Sequence, residues 1–403
     1  MVSTERQILL LTFYFTPDLC AGSFRAAALV KALLASDPAL RIHVITTQPN
    51  RYRSFSALAS ETEEHERLTV TRVKLPPHSS GMRDQARAFL AYARAVGRLT
   101  AHTRCDLVFG TSSRLMTAVL AARTAARMRA PLYLDVRDIF VDTIGDVLPR
   151  PLSVPLRWVF APLERWAIGR AARVNLVSEG FRSYFERRFP QQSFSFHTNG
   201  VDELFEGLAT TPGRRDPSAP IRILYAGNIG EGQGLHAIVP TLAMALGSRA
   251  TIRIIGDGGR RPQLEEALIA NATADRVSVV PPVDRATLLE EYRSADVLFL
   301  HLNDYAAFEK VLPSKIFEYA ALGKPILAGV GGYAAHFLRT EVPNSAVFAP
   351  CDAAAGVAAL SSLELVDRPR AAFVEQFRRS TVMKQLAADI LAAAPAPLAR
   401  ATR

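Results

Sequence analysis

The segment Glu309-Lys310-Val311-Leu312-Pro313-Ser314-Lys315-Ile316-Phe317-Glu318-Tyr319 sets charged groups at the start of a helix. Pro313 suits the first helical position. Lys315 then lies in the first turn, where a cation opposes the helix dipole. An anion bound at that end would remove the conflict. Glu318, one turn after Ser314, points from the same region and could accept bonds from ribose hydroxyls. The plain alternative is an i,i+3 Lys–Glu surface pair. A second candidate is the run from Leu224 to Gly234, with Gly227, Gly230, Gly232 and Gly234 directly after a strand. Four glycines so close imply backbone approach to a ligand, and a diphosphate fits best. Their spacing departs from the dinucleotide fingerprint.

Further candidates fall at other strand ends. Gly256-Asp257-Gly258-Gly259 forms another Gly-rich turn. The loop Tyr14–Arg25 contains Pro17-Asp18 and Ala21-Gly22-Ser23. Gly22 and Ser23 open a helix whose free N–H groups favour phosphate, unless Ser23 merely caps it. Asp135-Val136-Arg137-Asp138 puts charge after a strand, as a site or as a surface ion pair. Ser112, Ser113, Ser178 and Glu179 also sit at strand ends, and Asn199-Gly200-Val201-Asp202 reads as a turn. The sequence has no Asp-x-Asp clamp, no zinc-like His/Cys spacing and no Walker loop. We therefore expect no metal and no cofactor. Leaving-group charge must be met by Lys, Arg and backbone N–H groups.

The elements that must position these residues alternate between strand and helix. Gln7–Phe13 is a continuous apolar run, as in a buried parallel strand. The pattern continues through helices at 24–35, 84–102, 113–128, 151–172 and 180–189. Residues 48–66 read as a long polar loop with an acidic patch at Glu61, Glu63, Glu64 and Glu66. Residues 206–220 crowd Pro, Gly, Ser and charge, and read as a linker. The strand–helix pattern then restarts at Ile221. The expectation is an α/β protein of two doubly wound Rossmann-like domains, residues 1–205 and 221–370. A helix over 371–393 crosses back to the first domain, followed by a frayed tail to 403. Ligands of such sheets bind beyond the C-terminal strand ends, here in the cleft between the domains.

The 403 residues, 49% apolar and 21% charged, suit a globular protein. The net charge of +10 is uneven. Residues 1–200 hold 27 Lys/Arg against 16 Asp/Glu, and the remainder 21 against 22. Nucleic acid, anionic lipid or a phosphorylated acceptor could explain the basic half, as could a merely soluble Arg-rich surface. Aromatic-basic RNA motifs and helix-turn-helix cues are absent, so no nucleic-acid partner is expected. Cys20, Cys105 and Cys351 are few and far apart, as for reduced thiols of the cytoplasm. No run is apolar enough to span a bilayer, and the first residues lack a signal-peptide layout. Pro151–Arg173 carries Arg157, Arg165, Arg170 and Arg173 with Trp158, Phe160 and Trp166. Such a helix could lie on an anionic membrane surface or bury its apolar face in the first domain.

These residues together resemble the family 4 glycosyltransferases, which have the GT-B fold and retain anomeric configuration. The resemblance rests on the Pro-Asp…Gly-Ser loop, Asn199-Gly200-Val201-Asp202, Tyr225–Gly230 and Ile255–Gly258. It is strongest at Leu312–Tyr319 with Gly323-Lys324-Pro325-Ile326. With Asp135–Phe140, it is similar to the branch that builds bacterial surface polysaccharide (O-antigen or capsule), including transferases of N-acetyl-L-fucosamine. The resemblance implies a UDP-sugar donor held by Gly22, Ser23, Gly227, Asn228, Gly230, Gln233, Gly256, Asp257, Lys315 and Glu318. It implies catalytic roles for Asp138, Glu309 and Lys315, a lipid-linked or saccharide acceptor, and closure that excludes water. The family pairs two glutamates eight positions apart. Glu318 matches the second and Lys310 stands at the first, beside Glu309. The family's diphosphate-gripping Arg and Lys are replaced by Asn228 and approximately Gln233, so Lys315, Arg260 or Arg261 must supply that charge. The family's first-domain His falls near Arg137. Competing readings are a UDP-aminosugar 2-epimerase of the same fold and a non-catalytic GT-B partner subunit.

Overall fold

The computed structural model describes residues 6–49, 59–76, 82–112, 114–207, 216 and 218–394. Two compact units divide the chain: residues 1–199 with 379–403, and residues 200–378.

The first unit starts with β1 (Arg6–Leu11), α1 (Ala21–Ser36), β2 (Leu40–Thr47), β3 (Thr62–His65), β4 (Leu68–Val73) and α2 (Met82–Leu99). It continues through β5 (Leu107–Thr111), α3 (Leu115–Met128), β6 (Leu132–Val136), α4 (Phe140–Val147), α5 (Arg150–Arg170), β7 (Arg173–Leu176), α6 (Arg182–Arg188) and β8 (Phe194–Ser195). The sheet order is β3-β4-β2-β1-β5-β6-β7-β8. Only the β3–β4 pair is antiparallel. β1 is central and is apolar on both faces because helices cover both.

The second unit holds β9 (Ile221–Ala226), α7 (Leu235–Leu246), β10 (Ala250–Ile255), α8 (Arg261–Ala270), β11 (Val277–Val280), α9 (Arg285–Ser294) and β12 (Val297–His301). α10 (Lys315–Ala321), β13 (Ile326–Gly329), α11 (Gly332–Glu341), β14 (Ser345–Phe348), α12 (Ala353–Ser362) and α13 (Ala371–Gln376) complete it. Its all-parallel order, β11-β10-β9-β12-β13-β14, is the strand order of a dinucleotide-binding domain. Both units are doubly wound, so the expected α/β class holds.

Three local expectations change. The polar loop over 48–66 contains β3, an edge strand that needs only one neighbour. It is pinned where Glu63 pairs with the buried Arg72 at 2.7 Å. Residues 50–58 of that segment, like most of the expected linker 206–220, lie outside the described residues. The single helix expected over 371–393 is two helices. Phe373 of α13 and Phe377 pack with Phe317 and Phe337 in the second unit. There the Val201 N–H donates to the Phe377 carbonyl at 2.7 Å, and Val201 and Phe205 join the same core. Residues 200–205 thus pack with the second unit, not the first. Only α14 (Arg379–Ala393) belongs to the first unit. Its stripe Val382, Met383, Leu386, Ala387 and Ile390 is spaced for one helix face and packs with Ala26, Leu29, Val30 and Leu33 of α1. Burying that stripe is worth roughly 8 kcal/mol.

Candidate active site

In the second unit the strand order reverses between β9 and β12, so their following loops diverge and leave a crevice beyond the strand ends. The Gly227–Gly234 loop enters from β9. The loop from Leu302 to Ser314 enters from β12 and leads into α10.

Lys315 is the first residue of α10, and Ser314 occupies the cap position. Pro313 therefore lies before the cap and not at the first helical position. Its carbonyl accepts the Ile316 N–H at 3.2 Å, which already starts the first turn. The half-buried Lys315 side chain lies over Gly227: a Cβ there would stand 2.8 Å from Nζ and 3.2 Å from the Tyr225 hydroxyl. Nζ also sits 6.0 Å from the Tyr319 ring centroid. Among the described residues nothing hydrogen-bonds this ammonium. Burial lowers its pKa, and Glu318, one turn along the helix, raises it in opposition. An ammonium in this state gains by meeting an anion.

The glycines divide into two kinds. Gly256 and Gly258 are structural: a Cβ on either would run into the carbonyl of Gly227 or Ile229. The Gly227 N–H donates to Ile255 at 2.8 Å and the Ile229 N–H to Asp257 at 2.9 Å. The two loops thus continue the β9–β10 ladder past the strands. Asp257 turns its carboxylate to the Gly258 N–H at 2.8 Å. Among the described residues, the N–H groups of Asn228, Gly230, Glu231 and Gly232 find no backbone acceptor, and these could face a diphosphate. Asn228 donates to Gln233 at 2.7 Å, an amide pair bridging over Gly230.

The other cations considered are engaged. Arg260 is bound to Glu231, which also accepts from the Tyr305 hydroxyl at 2.6 Å. Burial alone would raise the Glu231 pKa, but Tyr305 and Arg260 outweigh it and lower it. The same bond pushes Tyr305 up to about 12. Arg261 is held by Glu265 at 2.8 Å. Lys324 is also structural, buried and paired with Asp367 at 2.9 Å. Glu309 is exposed, and its backbone packs on Gly332. Lys310 bends back to the Ala306 carbonyl at 3.3 Å.

His301, fully buried at the end of β12, ties this crevice together. Its Nε2 accepts the Cys351 N–H at 3.0 Å, so Nδ1 carries the proton and donates to the Gln233 carbonyl at 2.7 Å. Burial drives its pKa to about 4. Gly329 leaves room for the ring.

In the first unit the order reverses between β1 and β5. At that point Arg114 donates to the Tyr14 hydroxyl at 2.9 Å and lies 4.0 Å from the Phe13 ring centroid. Asp135 lies inside β6 and is no free site carboxylate. Arg25 of α1 grips it through Nε at 2.9 Å and Nη2 at 2.8 Å, and Asn175 donates at 2.7 Å. Burial opposes the charged carboxylate, but Arg25 prevails and lowers its pKa. Arg137 packs over Gly22, its Nη1 3.4 Å from where a Cβ would be. Burial lowers its pKa, with Asp135 acting against that. Gly22 and Ser23 occupy the first turn of α1, and Cys20 gives that turn no side-chain cap. The Ser23 hydroxyl is buried and, among the described residues, bonds no other group. Asp138 is exposed at the same strand end. Ser113 lies outside the described residues, while Ser112 accepts the Arg137 N–H at 3.2 Å.

Residue types alone did not single out Arg25, Arg114, Glu231, Tyr305 or His301. For Arg25 a signal existed: it stands four residues before Leu29 on the apolar face of its helix. Among the described residues, no group of three or more His, Cys, Asp and Glu is placed to hold a metal ion.

Comparison with known families matches residues 22–193 to the Glycosyl transferase 4-like domain and residues 213–380 to Glycosyl transferases group 1. Sequence comparison with curated proteins gives no match. The fold is similar to the sucrose-phosphate synthase of Thermosynechococcus elongatus, with TM-score 0.72, 16% identity, and coverage of 96% of this chain and 100% of that one. It is similar to HepE of Anabaena in complex with UDP-glucose (TM-score 0.66, 14% identity, 96% and 99% covered). It also resembles WaaG, a glycosyltransferase involved in lipopolysaccharide biosynthesis (TM-score 0.66, 14% identity, 95% and 99% covered).

Proposed function

The chain is a glycosyltransferase of the GT-B fold, 4-like in its first unit and group 1 in its second, and from that premise we propose that it transfers an N-acetylated aminosugar, of the N-acetyl-L-fucosamine type, from a UDP-sugar. The acceptor in this reading is a lipid-linked or saccharide chain of a growing surface polysaccharide, met at the inner face of the cytoplasmic membrane. The observation that carries the donor reading is the ammonium of Lys315, lying over Gly227 at the switch point with nothing hydrogen-bonded to it among the described residues. A diphosphate at that place would meet Lys315 and the open N–H groups of the Gly loop. Glu318 would hold ribose hydroxyls, and Asp257 and Gly256 would border the base. Arg260 and Arg261 are committed elsewhere, so Lys315 takes the leaving-group charge.

The bond from the sugar's anomeric carbon to the β-phosphate oxygen breaks, and a bond from that carbon to the acceptor oxygen forms on the same face. The acceptor proton passes to the departing β-phosphate, so no metal or protein base is required. Gly22 and Ser23 at the α1 N-terminus would face the phosphates, and Asp138 and Glu309 would contact the acceptor and the sugar. UDP-sugars that bind only the folded chain raise its melting temperature. A thermal-shift panel of UDP-, GDP- and dTDP-sugars should show shifts with UDP compounds, the largest with an N-acetylated aminosugar. Equal silence across the UDP set would end this reading. Conversion of a UDP-sugar without acceptor would favour the epimerase.

A further inference from the structure

α5 is a 21-residue helix that buries only part of its surface. Ser153, Leu156, Phe160, Leu163, Glu164 and Ala167 recur at helical spacing and face the first unit, with Phe160 stacked edge-on against Phe140 at 5.2 Å. The opposite face carries Pro155, Trp158, Val159, Pro162 and Trp166. Trp158 is 80% exposed and Trp166 42% exposed. Large apolar side chains in such a continuous row mark a contact surface.

The charge on this helix is one-sided. It has four arginines and one acid, Glu164. That acid points inward, where the Tyr184 hydroxyl donates to it at 3.0 Å. The outward face therefore holds no carboxylate of its own, and the exposed Arg165 and Arg170 flank the tryptophans. Arg157 is turned aside against Gly145. Arg173, grouped with these by sequence, lies in β7 and is bound to Asp389. No helix among the described residues is long and apolar enough to cross a membrane. An apolar ridge with indole rings and flanking guanidinium groups matches the boundary between headgroups and acyl chains.

We propose that the outer face of α5 lies flat on an anionic phospholipid bilayer, with Trp158, Val159 and Trp166 among the acyl carbons and Arg165 and Arg170 on the phosphates. The proposal does not depend on the donor reading, and its test needs no substrate.

The chain's only tryptophans are Trp158 and Trp166, so intrinsic fluorescence reports on this face without background. Full-length protein is mixed with vesicles of phosphatidylcholine alone, or of phosphatidylcholine with phosphatidylglycerol. We expect a blue shift and co-sedimentation with the anionic vesicles, both reversed by salt. The variant Arg165→Gln/Arg170→Gln should partition about twenty-five-fold more weakly, about five-fold for each arginine neutralised near an anionic surface. Trp158→Ser should weaken sedimentation at an unchanged melting temperature, since that side chain is 80% exposed. Equal affinity for neutral and anionic vesicles, or none for either, overturns the proposal. So does a blue-shifted spectrum without lipid, accompanied by a dimer that Trp158→Ser dissociates, which would assign the face to a second copy of the chain.

Discussion

The Lys315 ammonium rests against Gly227, where a Cβ would stand 2.8 Å from Nζ. The absence of a side chain at 227 and the position of the cation are therefore one feature. Gly227→Ala should push Lys315 out of place, weaken UDP binding by about ten-fold and cost about 1–3 kcal/mol of stability through overpacking. In Lys315→Ala the clash with the lysine is gone and only the backbone strain of a side chain at the positive φ of 227 remains, so adding Gly227→Ala should weaken UDP binding less than it does in the native chain. Isothermal titration with UDP across this double-mutant cycle measures the coupling. Fully additive losses would separate the two residues.

Among the described cations near the Gly loop, Arg260 and Arg261 are held by carboxylates and Lys315 is not. Lys315→Met should lower kcat/KM by about 10²–10³-fold, the usual effect of losing one donor to a developing oxyanion. Arg260→Met and Arg261→Met should each cost at least ten times less, because Glu231 and Glu265 already hold them. Burial lowers the Lys315 pKa, and only the charged form attracts phosphate. UDP affinity should therefore fall as pH rises through that lowered value, below the ordinary 10.5. In Lys315→Met this pH dependence should disappear; its persistence would point to another group.

The two doubly wound sheets were legible because buried parallel strands read as continuous apolar runs, as in β1 and β9. The Gly loop and the start of α10 were legible because glycine crowding and a cation at a helix start are local anomalies. What escaped was long-range. Arg25 and Asp135 are 110 positions apart, and neither predicts the other until the fold sets α1 against β6. Asp135 therefore read as part of a charged strand end when its partner makes it structural. The Gly227 carbonyl fills the space a Cβ on Gly256 would take, a long-range reason for that glycine that its spacing alone does not disclose. The division of 371–393 into two helices was hidden because both halves have ordinary helical composition. Only the packing of Phe373 and Phe377 on Phe317 decides where the first half goes.

The Arg25–Asp135 pair should be the most sensitive point of the first unit. Arg25→Met strands a carboxylate that is 2% exposed and should cost about 3–5 kcal/mol. Asp135→Leu strands the guanidinium, though the carbonyls of His197 and Thr198 still accept from it, so its cost should be lower. The double variant removes both charges, and Asn175 keeps the His197 carbonyl at 3.1 Å. It should be more stable than Arg25→Met alone. Urea unfolding of the four proteins checks this ordering; a double variant as unstable as the sum of its parents would deny the coupling.

His301 gives the second unit a defined response to acid. Its folded-state pKa is about 4, against 6.5 when unfolded, so between those values the unfolded chain binds the proton and the folded chain does not. Stability is complete above pH 6.5 and declines as pH falls towards 4. The deficit reaches about 3 kcal/mol, at 1.36 kcal/mol for each pKa unit of difference. Protonating Nε2 would also set a donor against the Cys351 N–H, which now donates to it. His301→Gln has no such proton to exclude, so its stability should fall by about 2 kcal/mol less than the native chain's between pH 7 and pH 5. Urea midpoints at the two pH values measure the difference, and a ring-proton titration of His301 should stay flat over that range. A ring that titrates near 6.5 would mean that the histidine is open to water and does not fasten the Gly loop to β12.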